Sequence, residues 1–166
     1  SAREKAVKPA FQYDANVREG LLEAPSRKIE IAIFPAPEKF FVPGSFGEDT
    51  DTQERSVAAD AAALRQRTGL RGVTQIVPDE AATLTELVFK HEEATGNWLF
   101  GPEYAKAVGK DWVYGRTKDR TNAGGSYVAR VGNAYSEDGV DVDDWYCAHG
   151  HDDVGSPRLV VPFVSR

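Results

Sequence analysis

The sequence predicts an α+β fold, and three observations carry that expectation. One clean strand pattern stands early, at 28–34, and two helical periodicities follow, near 51–69 and 78–96. From 97 onward, short strand-prone runs alternate with turn clusters and no further helical pattern intervenes. A parallel βαβ array needs a helix after every strand, so the helices here are segregated from the later strands. Two helices should therefore pack on small, twisted, mainly antiparallel sheets.

Each element has its own warrant. Residues 1–27 are charged, weakly periodic and broken by Pro9 and Pro25; they read as an N-terminal arm or linker with a short strand near 11–13. In "KIEIAIF", 28–34, strict alternation puts Ile29, Ile31 and Ile33 on one face of a half-buried strand. "PAPEKFFVPGSFG" then breaks the strand, with Pro43-Gly44 as a turn. The first helix is expected to start at Asp51 as N-cap, with Glu54 three residues on completing a capping box. Val57, Ala61 and Leu64 form its apolar stripe, and Gly69 stops it. A second helix should open near Pro78, where proline suits the first turn and Asp79 and Glu80 complement the positive end of the dipole. Leu84, Leu87, Val88 and His91 make its buried stripe, and Gly96 ends it.

After that point "NWLF", "DWVYGRT", "SYVARVG", "GVDVDDWY" and "RLVVPFV" are strand-prone, and "GRTKDRTNAGG" is a turn cluster. Val140 and Val142 belong to the core, and strict alternation would then send Asp144 inward and Trp145 outward. A bulge or strand end at 143–145 is the expected resolution. Pro162 implies an edge or a break inside its run.

Length and composition bound the function. At 166 residues and 41% hydrophobic, the chain suits one domain, 28–166, that folds without disulfides or metals. Ser1 heads a sequence without methionine, which reads as a trimmed form, and no charged-then-apolar leader or membrane-length apolar run is visible. A single cysteine, Cys147, excludes an intramolecular disulfide. The net charge of -6 argues against nucleic acid as partner, since tracking phosphates needs a basic face. Between Arg130 and Arg158 stand Glu137, Asp138, Asp141, Asp143, Asp144, Asp152 and Asp153, with no Lys or Arg among them. Such a run favours a ligand with a basic or hydrogen-bond-donating patch.

The chemistry concentrates in "DDWYCAHGHDDVGS", 143–156. If 147–153 were extended, Cys147, His149, His151 and Asp153 would point the same way, and all are good zinc donors. Against this, "AHGHDDVGS" has the glycines of a loop, and four adjacent donors on one strand close a tetrahedron poorly. Cys147 beside His149 could act as a nucleophile, but the surrounding carboxylates work against a thiolate and no helix start follows to serve as an oxyanion hole. "DGVDVDD" alternates like a strand and lacks the glycine placement of a calcium loop. His91-Glu92-Glu93 lacks the second histidine of a zincin, and "NAGGSY" has no phosphate-binding glycine pattern. No metal or cofactor is expected, and the chain reads as a binding protein and not an enzyme. The alternative from another class is a metal-dependent enzyme centred on Cys147, His149 and His151.

Over 127–164 the framework supplies valines while the intervening stretches supply Tyr, Trp, Asn, Ser, Asp, His and Gly, the residue types of binding loops. Arg130-Val131-Gly132, then Gly139 to Trp145, then Leu159 to Pro162 near the C-terminus together resemble the C-terminal part of variable proteins of diversity-generating retroelements. That resemblance implies a C-type lectin-like fold whose C-terminal segment displays ligand-contacting side chains on a fixed backbone, attached through its arm to a phage particle, a cell surface or another chain. In such systems adenines of selected codons are randomised, typically in Asn-type codons, which can reach many residue types but not Glu, Lys, Gln, Met or Trp. Stretches 133–136 and 146–156 contain none of those types, which leaves Glu137 and Trp145 as framework. The sequence departs from sugar-binding C-type lectins in lacking a W-N-D or E-P-N calcium signature, and from the formylglycine-generating relatives in having only Cys147. The ligand-contacting residues expected on this reading are Asn133, Tyr135, Ser136, Asp138, Asp141, Asp143, Asp144, Tyr146, Cys147, His149, His151, Asp152 and Asp153. Tyr135, Tyr146 and Trp145 are the expected anchors.

Overall fold

The computed structural model describes residues 28–34, 36–121, 124–135 and 139–162. The arm at 1–27 and its expected strand lie outside those residues. In chain order the elements are β1 (Ala32–Ile33), α1 (Pro37–Phe40), α2 (Thr50–Thr68), β2 (Val73–Ile76), α3 (Ala81–Thr95) and α4 (Pro102–Ala107). They are followed by β3 (Tyr114–Arg120), β4 (Tyr127–Tyr135), β5 (Gly139–Tyr146), β6 (Val154–Gly155) and β7 (Leu159–Pro162). The architecture is α+β, with the two expected long helices and two short ones among the described residues.

Two sheets organise it. The smaller has the order β1-β7-β2, both pairs antiparallel; the larger has the order β5-β4-β3-β6, antiparallel except for β3 with β6. A continuous apolar core joins them: Leu84 and Val88 of α3 pack with Phe40, Phe100, Tyr104, Val131, Val142 and Leu159. None of the described helices is long and apolar enough to cross a membrane.

Several boundaries differ from expectation, each for a local reason. The strand predicted over 28–34 contracts to Ala32–Ile33, which pairs with Val160 and Leu159. Its alternation survives, with Ile31 and Ile33 against the core and Ala32 exposed. Helix α2 is capped by Asp49 and not by Asp51: the Asp49 side chain accepts the Thr52 N–H at 2.7 Å. Glu54, cast as the box partner, instead meets Lys118 at 3.3 Å. Gly69 ends α2 in the left-handed conformation, as expected.

Helix α3 begins at Ala81, not at Pro78. The Pro78 carbonyl is taken by the Lys118 N–H at 2.8 Å, and the Ala81 N–H donates to Asp119 Oδ2 at 3.1 Å, so β3 fixes where the helix starts. The stripe is as predicted, with Leu84 and Val88 fully buried and Leu87 and His91 at the margin. "NWLF" forms a turn and no strand; Leu99 and Phe100 are buried there, and Phe100 has a φ of 62°. Burial, not pairing, accounts for their apolar character.

The supposed turn cluster after Tyr114 contributes most of β3, which runs to Arg120. Its register slips: from Arg116 to Arg120 it takes four steps while β4 takes two, from Arg130 to Val128. Strand β5 pairs with β4 in unbroken register from Asp141 to Tyr146, so the bulge expected at 143–145 is absent. It lies on β4 instead, where Gly132 to Tyr135 takes three steps against two from Asp141 to Gly139. Asn133 sits there with a φ of 45°, and its N–H donates to the Val113 carbonyl at 2.9 Å. Strict alternation through 145 is tolerated because Asp144, on the core-side face, accepts the Thr121 hydroxyl at 2.7 Å. Pro162 closes β7 opposite Val73, beyond the point where β1 has ended.

Candidate ligand-binding surface

The two faces of the β3–β4–β5 sheet have different chemistry because side chains alternate across a strand. Val131 and Val142 face the core, directly paired. Tyr114, Arg116, Arg130, Asp141, Asp143 and Trp145 share the opposite face, fixed there by the pairs Tyr114↔Gly132, Arg116↔Arg130, Gly132↔Asp141 and Arg130↔Asp143. A polar network fills this second face. Tyr114 donates its hydroxyl to Asp141 Oδ2 at 2.7 Å, and Arg130 Nη2 donates to Asp143 Oδ2. The Arg130 guanidinium stacks 4.4 Å from the centroid of the Tyr114 ring and 5.3 Å from that of Trp145.

Electrostatics follow from that packing. Burial, reinforced by the bond to Asp141, raises the Tyr114 phenol above its ordinary value. Burial likewise raises the Asp141 carboxyl, with the Tyr114 bond opposing it and Asp143 adding repulsion. Arg116 is brought down to about 10 by burial and by the neighbouring charge of Arg130.

Residues 147–153 follow β5 and are held by the start of α2 and the segment that leads into it. The Thr50 N–H donates to the Cys147 carbonyl at 3.1 Å, Arg116 Nη1 donates to Thr50 Oγ1 at 3.0 Å, and the Gly47 N–H donates to the His151 carbonyl at 3.1 Å. Gly150 packs so closely on the Gly47 carbonyl that a Cβ at that position would collide with it. Within this segment the His151 ring stands 4.4 Å from the Trp145 ring, edge to face. The Asp153 N–H donates to His151 Nδ1 at 3.2 Å, so the neutral ring carries its proton on Nε2. Trp112 Nε1 donates to Asp153 Oδ2 at 2.8 Å, joining the start of β3 to the same cluster.

The expected contact residues divide accordingly. Tyr146 and His149 form one exposed aromatic group with Tyr127, at centroid separations of 4.8 Å for Tyr146–His149 and 5.6 Å for Tyr127–Tyr146. His151, Asp153 and Trp145 belong to the neighbouring cluster with Trp112, while Asp152 is exposed. Asp141 and Asp143 are engaged by Tyr114 and Arg130, and Asp144 lies on the other face. Asn133 and Tyr135 are half-buried at the β4 bulge, away from the 147–153 turn in sequence. Cys147 is a free, half-buried thiol. Ser136 and Asp138 lie outside the described residues.

Cys147, His149 and His151 do not converge. Tyr146 and Trp145 point to opposite faces of β5, His149 stacks on the first and His151 on the second. Among the described residues, no three His, Cys, Asp or Glu side chains gather as metal ligands.

Sequence reasoning passed over Trp112, Tyr127, Arg116 and Arg130 as contributors. The available signal was the alternation itself: in "YVARVG" Arg130 occupies the face opposite Val131, and aromatics sit at strand ends. No protein-family model, curated protein or solved structure matches the chain.

Proposed function

We propose that the chain is a ligand-binding protein in which a C-type lectin-like scaffold presents the β4–β5 hairpin and the 147–153 turn to a macromolecular partner. The observation that carries this reading is the placement of exposed aromatics. Among the described residues the exposed large apolar side chains are Leu70, Trp112, Tyr127 and Tyr146; Tyr127 and Tyr146 are cross-strand neighbours at 40% and 37% exposure, and Trp112, at 47%, precedes β3 and belongs to the separate Trp145–His151 cluster. Rigid aromatics beside small polar residues give large contact area at low entropic cost. The exposed Asp152 and the acidic bias of the segment favour a partner with a basic patch, mainly through the rate of encounter.

The variable-protein reading is supported by the residue types of 146–156 and by their location on a turn packed against a sheet. Its test is the DNA around the gene. A near-copy of the terminal coding segment beside a reverse transcriptase, differing only at adenines, is the expected finding; a coding segment without such a copy defeats the retroelement reading. The binding reading is tested separately, by Trp112→Ala, Tyr127→Ala and Tyr146→Ala. Each is expected to weaken partner binding roughly tenfold or more while the fold persists, since aromatics dominate interface energetics. Unchanged capture by all three variants defeats it.

A further inference from the structure

Away from the recognition surface, and independently of it, the smaller sheet has an open edge set in a groove. Among the described strands β2 pairs with β7 alone, and its "VTQI" carries neither the charge nor the proline that usually blunts an edge. Pro162 has no N–H, so its pair with Val73 is not a doubly bonded one. Alternation then gives Thr74 and Ile76 the bonds to β7 and turns the N–H and C=O of Val73 and Gln75 outward.

Helix α2 runs antiparallel beside that edge. Arg65 Nη1 donates to the Val73 carbonyl at 3.5 Å, Gln75 Nε2 donates to Asp60 at 2.8 Å, and Glu54 meets Lys118, whose N–H donates to the Pro78 carbonyl. The groove along them holds about 480 Å³, the size of a ligand site, and is apolar on the helix side through Val57, Ala58 and Ala61 and on the other through Ile29, Ile76 and Val77. From Glu54 to Arg65 the helix covers about 16 Å, the length of about five steps of extended chain. The two ends differ in charge, with Arg65 at the Val73 end and Glu54 and Asp79 beside Lys118 at the other. The groove also contains an unmet acceptor: Gln75 is 6% exposed, its Nε2 is committed to Asp60, and its Oε1 finds no donor among the described residues.

An occupant is tethered at the wall. Lys28 begins the described chain and Ile29 already lines the groove, so residues 1–27 depart from there. In that arm Arg18 and Glu23 stand five steps apart with Leu21 and Leu22 between them, and residues 24–28, with a reach of up to about 20 Å, join Glu23 to Ile29. A second copy's β2 is recessed beside its own α2 in the same way, so two such edges do not meet.

We infer that residues 18–23, "REGLLE", occupy this groove as a strand antiparallel to β2. Arg18 then lies at the Glu54–Asp79 end and Glu23 at Arg65, the adjacent leucines point to the two apolar sides, and a backbone N–H reaches Gln75 Oε1. The short tether keeps the segment there at high effective concentration.

The test uses the full chain carrying Cys147→Ser, which leaves no other thiol. Leu22→Cys with Ala58→Cys, in the groove, is expected to close an intramolecular disulfide in dilute diamide roughly tenfold faster than Leu22→Cys with Lys90→Cys, which stands beside Lys28 but outside the groove. Equal rates overturn the proposal, and a disulfide of doubled mass overturns it in favour of an arm from a second copy. Hydrogen exchange reads the same contact without cysteines: Leu21→Ser with Leu22→Ser is expected to speed the Gln75 amide roughly tenfold while leaving the Thr74 amide, which bonds β7, unchanged. Exchange at Gln75 that does not respond to the double variant also overturns it.

Discussion

His151 shows how one side chain reports on its surroundings. Burial against Trp145 lowers its pKa from the ordinary value, Arg130 and Arg116 push the same way, and Asp153 and Asp152 oppose them. The folded state therefore disfavours the imidazolium, and the unfolded chain binds the proton more readily. Stability contributed by neutral His151 is present above about pH 6.5 and is lost as pH falls towards the lowered folded value. Melting temperatures from pH 7.5 to 5 should thus drop more for the unaltered protein than for His151→Asn, and parallel curves would contradict this assignment. Tyr146 sits three positions from His149 in a packed aromatic pair yet remains exposed. Its replacement by alanine should change stability by no more than about 1 kcal/mol in urea unfolding, so that any loss of binding reflects the surface and not the fold.

At the level of the element, ends are set by partners more than by intrinsic signals. The carboxylate of Asp49 is held below its usual range, chiefly by the Thr52 backbone N–H. Asp49→Ala should lower the urea midpoint measurably, whereas Asp51→Ala, at an exposed first-turn position, should leave it nearly unchanged. Equal effects of the two would return the cap to Asp51. The 147–153 turn depends on a different constraint. Since a Cβ at Gly150 would strike the Gly47 carbonyl, Gly150→Ala must displace the turn from the segment that leads into α2. Hydrogen exchange should then accelerate at the Gly47 and Thr50 amides, which donate to His151 and Cys147, and not at the β4–β5 ladder amides.

Across the whole molecule, α2 is fastened beside the small sheet by a side-chain clamp centred on Asp60, alongside the bond from Arg65 Nη1 to the Val73 carbonyl at 3.5 Å. Asp60 accepts from Arg158 Nε at 2.9 Å, from Arg158 Nη2 through its other oxygen at 3.0 Å, and from Gln75 Nε2 at 2.8 Å. Burial alone would raise this carboxyl, but the bonds from Arg158 and Gln75 outweigh it and bring the value down. Removing one partner of a buried pair strands the other, so Asp60→Ala is expected to cost about 3 kcal/mol in urea unfolding. A cost near zero would mean that the other contacts of α2 hold it without the clamp. The clamp spans 98 positions of sequence, and no local pattern announced it.

By itself the sequence determined the α+β class, the two long helices with their glycine stops, the strand runs within 126–132 and 139–146, and the alternation that sends Val140 and Val142 inward. These are properties of neighbouring residues, and side-chain periodicity encodes them directly. The aromatic and acidic character of 143–156 was legible for the same reason. Only the tertiary structure decided that His149 and His151 part company on opposite faces, that Trp112 and Tyr127 join the exposed surface, and that Asp119 starts α3 while Asp49 caps α2. It also set Arg116 against Arg130. Each of these depends on which distant backbone group arrives alongside, and strand register is a relation between segments that neither segment contains alone.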